Sequence, residues 1–88
     1  MAYILDLSEQ AQKDIDFHKI SGNKGVLKKL SVLLNELTQH PSEGTGKPEQ
    51  LKHNLAGYWS RRINQEHRLI YRIDNFVVKI VSAREHYV

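Results

Sequence analysis

Val26, Leu27, Leu30, Leu33, Leu34 and Leu37 recur at steps of three and four residues, the spacing of one broad face of an α-helix. Lys28, Lys29, Asn35 and Glu36 fall outside that stripe, so it reads as a helix packed on a sheet. His40-Pro41 bounds it, because the residue before proline avoids the helical region. Upstream, residues 2–7 are short and apolar apart from Asp6, and Tyr3-Ile4-Leu5 favours a strand. Ser8 follows as an N-cap, with Glu9 in the first turn and Leu7 placed for a hydrophobic staple. These signals predict a first helix over residues 9–20. Its apolar face is ragged: Ala11 and Ile15 align, whereas Phe17 and Ile20 sit on another side. Ser21-Gly22-Asn23 separates the two helices.

After a loop over residues 41–48, rich in glycine and proline, alternation predicts three strands, over residues 58–64, 67–73 and 76–84. Asp74-Asn75 suits a two-residue hairpin turn. That turn sets Ile73 opposite Phe76, Tyr71 opposite Val78 and Leu69 opposite Ile80, making one sheet face apolar. The other face receives Arg68, Ile70 and Arg72. Pairing Arg62 with Arg68 in the preceding hairpin adds Tyr58, Ser60 and Arg62 to it. Continued alternation from Ile80 would point His86 at the core, so either the last strand bulges or, preferably, bends near its end, or His86 lies beyond the sheet. The fold expected is α+β: two N-terminal helices on one face of a small, mainly antiparallel, twisted sheet.

Eighty-eight residues suffice for a single domain over residues 1–88 with a modest core, which a dimer or partner would supplement. The net charge of +3 is uneven: residues 47–72 carry six Lys/Arg against two Asp/Glu. A field concentrated on one segment points to a phosphate backbone or an acidic partner. Without cysteine there is no disulfide and no thiolate zinc site. The five histidines lack the helical pairing of a metalloprotease motif. No apolar run approaches a membrane span, and no signal-peptide layout opens the chain. A cytoplasmic, metal-free protein needing no cofactor is expected. Gly44-Thr45-Gly46-Lys47 superficially resembles a phosphate loop, but the glycine spacing is short and Pro48 follows the lysine.

The run from Glu43 to Tyr71, containing Gly46-Lys47-Pro48-Glu49-Gln50-Leu51-Lys52-His53-Asn54-Leu55 and Tyr58-Trp59-Ser60-Arg61-Arg62, together with the terminal Arg84-Glu85-His86-Tyr87, resembles the YoeB/Txe toxins of the RelE-like superfamily. The resemblance covers nearly the whole chain; the helical half matches mainly in layout, and Val88 extends one residue past the tyrosine that ends the family pattern. It implies an mRNA endonuclease acting in the ribosomal A site, in contact with 16S rRNA and mRNA, and neutralised by a YefM-like antitoxin. It places the acid–base carboxylate on Glu49, the two key arginines on Arg62 and Arg68, and the terminal histidine and tyrosine on His86 and Tyr87. Lys52 and His53 match the family's Lys-His.

The chemistry suits these residue types. Metal-independent RNA cleavage needs a base for the 2′-hydroxyl, cations for the phosphorane charge and an acid for the 5′-oxygen. Glu49, the Arg62 and Arg68 pair, and His86 supply the three in that order, giving a catalytic set of Glu49, Arg68 and His86. Lys52, His53, Arg62 and Tyr87 are RNA-binding candidates, Tyr87 by stacking or by holding the phosphate. Each also has a bland reading: Glu49 as a loop carboxylate paired with Lys47 or Lys52, the arginines as a solvated sheet face, His86 as a terminal side chain, and Trp59 as a core or dimer anchor. Two other functions fit the pattern less fully: a non-catalytic ParE-like gyrase poison, and a basic RNA- or ribosome-binding module. In either toxin case, the positive face should draw in an acidic antitoxin segment that folds on binding.

Overall fold

The computed structural model describes residues 2–84. Strand β1 (Ile4–Leu7) leads into helix α1 (Glu9–Ser21) and helix α2 (Lys24–Leu37). Then come β2 (Glu49–Gln50), a 3₁₀ turn (His53–Leu55), β3 (Tyr58–Arg62), β4 (Arg68–Asp74) and β5 (Val77–Ser82). The five strands form one sheet in the order β1-β5-β4-β3-β2, antiparallel except for the β1–β5 pair. The two helices pack on one side of it, as expected for a mainly antiparallel α+β fold.

Capping sets the helix starts. Ser8 Oγ accepts from the Ala11 backbone N–H at 3.0 Å and Asn23 Oδ1 from that of Val26 at 3.1 Å, which satisfies otherwise orphaned first-turn donors. Gly22 ends α1 at φ 72°, a left-handed cap that glycine adopts without steric cost. The leucine stripe does what its spacing requires: Val26, Leu30, Leu33 and Leu37 are buried against Leu69, Tyr71, Val78 and Ile80. The ragged face of α1 is completed by polar groups. Asp14 and His18 are buried beside Ala11 and Ile15 because both grip the backbone of one residue in the chain leaving β5. Asp14 Oδ2 accepts from Ala83 N–H at 2.9 Å, and His18 Nε2 donates to the Ala83 carbonyl at 2.7 Å. Phe17 and Ile20 are exposed.

The β3–β4 register is the expected one, with Arg62 opposite Arg68, Ser60 opposite Ile70 and Tyr58 opposite Arg72. The β4–β5 register differs by two residues: Ile73 faces Val78 and Asp74 faces Val77, so the turn is Asn75-Phe76. Asn75 takes φ 55°, which a short side-chain amide tolerates, and Phe76 lies outside against Tyr3. A slip of two preserves the facing of the residues that remain paired, so the apolar face survives the correction without Phe76.

The irregularity expected in the last strand is a bulge rather than a bend. Tyr71 faces Ile80 while Ile70 faces Ser82, leaving Val81 extra. Ser8 braces it from β1's side, donating its hydroxyl to the Val81 carbonyl at 2.8 Å and its N–H to that of Ile80 at 3.0 Å. The strand ends at Ser82 rather than at residue 84. The bulge shifts the alternation, and Ser82 shares the Arg68 face while Ala83 joins the core. That face is less open than alternation alone suggests, since Ser60, Ile70 and Ser82 are all buried. His86 and Tyr87, the two candidates at the C-terminal end, lie outside the described residues.

Candidate functional site

Glu49 belongs to a strand rather than a loop. The two residues of β2 pair with β3 at the sheet edge, Glu49 opposite Ser60 and Gln50 opposite Trp59. This pairing puts the carboxylate on the face that carries Arg62 and Arg68. Arg68 Nη1 lies 3.1 Å from Glu49 Oε1 and 3.3 Å from Ser60 Oγ, so the guanidinium bridges β4, β3 and β2. Gly46, Lys47, Glu49, Arg62 and Arg68 line a cleft of about 70 Å³. One carboxylate and three cations thus meet at a single depression, where a phosphodiester could be gripped by guanidinium forks beside a proton acceptor.

What holds Glu49 there lies on the other side of the sheet. Alternation turns Arg61 inward while Arg62 faces the cleft. Arg61 is 0 % exposed, and a buried guanidinium is tolerable only when its donors are filled. It donates Nε to Tyr71 Oη at 3.1 Å, Nη1 to Glu36 Oε1 at 2.9 Å, and Nη2 to the carbonyls of His40 and of Glu43, the latter at 2.7 Å. Tyr71 in turn donates its hydroxyl to the Pro41 carbonyl at 2.7 Å. Glu36 accepts from both the hydroxyl and the N–H of Thr45, at 2.5 and 2.8 Å. Those Thr45 bonds, the hydroxyl first, with Arg61 adding to them, hold the Glu36 carboxyl below the ordinary glutamate range. Burial raises the Tyr71 phenol above its usual value against the opposing pull of Arg61.

The loop over residues 41–46 is therefore clamped to α2 and to the inner sheet face, and Gly46 finishes the job. Its carbonyl accepts from Arg62 N–H at 2.7 Å, and its φ is 84°. A Cβ there would stand 2.9 Å from the Arg62 carbonyl oxygen and 3.1 Å from Leu33 Cδ2. Glycine is required for this close approach. The Thr45 groups spent on Glu36 also explain why the Gly-Thr-Gly-Lys run is no phosphate cradle.

The fold thus brings together Glu49, Arg62 and Arg68. Lys52 and His53 stand apart from the cleft, exposed in and before the 3₁₀ turn that follows β2, with His53 at φ 60°. Lys47 also lines the cleft; the sequence offered it only as an ion-pair partner of Glu49, not as a site residue. His67 lies elsewhere, its ring 4.7 Å edge-on from that of His18. Among the described residues no group of three or more His, Cys, Asp or Glu is placed to hold a metal, and no helix is long and apolar enough to cross a membrane.

Comparison with known proteins completes the picture. Residues 7–87 match the family model of the YoeB-like toxin of bacterial type II toxin-antitoxin systems. The chain is 51 % identical to the toxin YoeB of Synechocystis sp. over 65 residues, 74 % of this chain and 76 % of that protein. The YoeB dimer of Staphylococcus aureus superposes with a TM-score of 0.85 at 42 % identity, covering 99 % of this chain and 100 % of that one. The toxin in the YoeB-YefM complex of the same organism gives 0.83 at 43 % identity with the same coverage. The chain belongs to the YoeB family, the toxins of bacterial type II toxin–antitoxin systems.

Proposed function

We propose that this toxin is an endoribonuclease that cleaves mRNA in the ribosomal A site by acid–base attack of the 2′-hydroxyl, thereby stopping translation. The observation that carries the reading is the Glu49 carboxylate held 3.1 Å from Arg68 beside Arg62 at one cleft. A proton acceptor next to two forked cations is the minimum set for in-line phosphodiester transfer. Arriving phosphate competes with Glu49 for the Arg68 donors, and the released carboxylate oxygen takes the 2′-hydroxyl proton. The 2′-oxygen then forms its bond to phosphorus as the bond to the 5′-oxygen breaks. Arg62 and Arg68 stabilise the phosphorane charge, and His86 gives the leaving 5′-oxygen its proton. The products are a 2′,3′-cyclic phosphate and a 5′-hydroxyl end.

Tyr87, Lys52 and His53 serve RNA or ribosome binding in this scheme, and no metal or cofactor enters it. A single domain acting where translation occurs, a homodimer, and neutralisation by an acidic YefM-like antitoxin complete the proposal. The dimeric S. aureus YoeB and the S. aureus YoeB-YefM complex support the last two. The test is cleavage of an mRNA under translation, mapped by primer extension, with wild-type protein and with Glu49→Gln, Arg68→Gln and His86→Ala. Cleavage within the A-site codon that all three substitutions suppress is expected. Inhibition of translation with the mRNA left whole would overturn the reading.

A further inference from the structure

A second hollow, of about 230 Å³, lies on the cleft side of the sheet, lined by Asp6, Tyr58, Arg72, Lys79 and Val81 among others. Its floor is one cross-strand row. Tyr58 faces Arg72 across β3–β4, Arg72 faces Lys79 across β4–β5, and Lys79 faces Asp6 across β5–β1. Four side chains from four strands therefore stand side by side on one face. The row runs parallel to the Arg62–Arg68 pair but four residues further along β4, roughly 13 Å away at about 3.3 Å per residue. Val81, the bulged residue, lines the same hollow.

Within the row, Arg72 rests over the Tyr58 ring. The Arg72 guanidinium carbon sits 6.0 Å from the Tyr58 ring centroid, while Lys79 is drawn to Asp74 at 3.5 Å. Among the described residues Arg72 makes no ion pair with a carboxylate. At the far end of the row Asp6 is exposed. Tyr58 orients Arg72 through its π-face, Arg72 keeps its planar donors for an anion, and Asp6 is a pure acceptor when ionised. A cation at one end and a carboxylate at the other suit a ligand that is anionic on one side and carries hydrogen-bond donors on the other. A nucleotide has that polarity.

We infer that this row is a base-selective subsite for one nucleotide of the RNA strand flanking the cleaved phosphate. The phosphate meets the Arg72 guanidinium, which lies over the Tyr58 ring, the base extends across Lys79, and its amino edge meets Asp6 at the far end of the row. Guanine, with a ring N–H beside an exocyclic amino group, gives a carboxylate two donors in parallel. Uracil offers one N–H between two carbonyl oxygens that a carboxylate repels, so it is the excluded base. The inference rests on the proposed nuclease activity and deepens it, because it names a sequence preference away from the cut.

The test is cleavage of a position-randomised mRNA pool under translation, with cut sites sequenced for wild type, Asp6→Asn, Arg72→Gln and Tyr58→Leu, each checked for folding by its thermal midpoint. Wild type should favour guanine over uracil by about tenfold at one fixed offset outside the nucleotides flanking the cut, the scale of a single bidentate base contact. Asp6→Asn should flatten that preference, slowing the guanine-containing sites and speeding the uracil-containing ones toward a common rate. Wild-type cleavage without a preference at any such offset, or one that survives Asp6→Asn, overturns the subsite and leaves the nuclease standing. Titration of amide NMR shifts with GMP and UMP gives a reading independent of cleavage. Shifts confined to the Tyr58–Arg72–Asp6 row with GMP support it, and equal or absent responses to both nucleotides overturn it. If Arg72→Gln weakens capture of an acidic antitoxin and leaves the cut pattern unchanged, the row is a protein contact and the inference falls.

Discussion

Arg61 and Arg62 are consecutive and point to opposite sides of the same strand, one sealed beneath the sheet and the other lining the cleft. The pair separates stability from chemistry within two residues. Arg61→Ala removes the centre of a buried polar network and leaves Glu36, the Tyr71 hydroxyl and the carbonyls of His40, Glu43 and Thr45 short of a donor. Its expected cost is on the order of 3 kcal/mol in urea unfolding. Arg62→Ala should change stability by no more than about 0.5 kcal/mol, the usual range for a surface site, while slowing RNA cleavage. Equal losses of stability in the two variants would show that alternation does not sort their roles.

Gly46 and Gly57 both have positive φ, 84° and 93°, but only Gly46 has neighbours within reach of an added Cβ. Substitution by alanine should therefore cost backbone strain alone at Gly57, about 1 kcal/mol. At Gly46 the contact with the Arg62 carbonyl adds to it, for a total on the order of 2–3 kcal/mol. Gly46→Ala should also impair cleavage, since relief of the contact moves the strand that carries Arg62. Paired denaturation curves check the first part, and single-turnover cleavage the second.

The acid response of the fold should trace to Glu36. Its folded carboxyl sits below the ordinary value because Thr45 and Arg61 bond the ionised form. The unfolded chain therefore takes up the proton first as pH falls. The contribution is complete at neutral pH, declines through the ordinary glutamate range, and is gone below the folded value. Glu36→Gln should lower stability at neutral pH and flatten that decline. Urea midpoints across the acid range measure it; an unchanged slope would assign acid loss to other carboxylates.

An mRNA whose scissile 5′-oxygen is replaced by sulfur distinguishes the proposed acid from the proposed base. Sulfur leaves as a thiolate without a proton. Each of His86→Ala and Glu49→Gln should lose on the order of 10²–10⁴-fold on the normal substrate. On the thio substrate His86→Ala should regain most of its rate and Glu49→Gln should stay slow. Rescue of Glu49→Gln instead would reverse the two assignments.

The helices and the facing of the paired residues of β3, β4 and β5 as far as Ile80 could be read from spacing, because burial of one side imposes a period that the sequence must display. Leu30, Leu33 and Leu37 show it for α2, and the Arg62–Arg68 pair followed from alternation in β3 and β4. Strand β2 could not be read: two polar residues, Glu49 and Gln50, carry no period, and their pairing is set by the clamp on the loop before them. Nor did composition separate Arg61 from its neighbours, although the alternation that exposes Arg62 already turned Arg61 inward. The β4–β5 register was missed by two because Phe76, the kind of residue that ends a strand rather than a turn, sits at the hairpin tip. The site was legible in part: Glu49, Arg62 and Arg68 converge, Lys52 and His53 do not line the cleft, and Lys47 joins them through a glycine whose conformation no period reveals.

The strand order carries a consequence for how the toxin comes into being. Strand β5 lies between β1 and β4, and the Ser8 bond to the Val81 carbonyl closes 73 positions of chain. During synthesis from the N-terminus, β1 and both helices precede the strand that gives them a surface to rest on. Contacts this distant in sequence form late, since loop closure must be met before they contribute. The nascent protein therefore cannot seal its core, or brace the Arg62–Arg68 face from behind, until Ser82 has been added. Synthesis must therefore pass the end of β5 before a folded toxin exists.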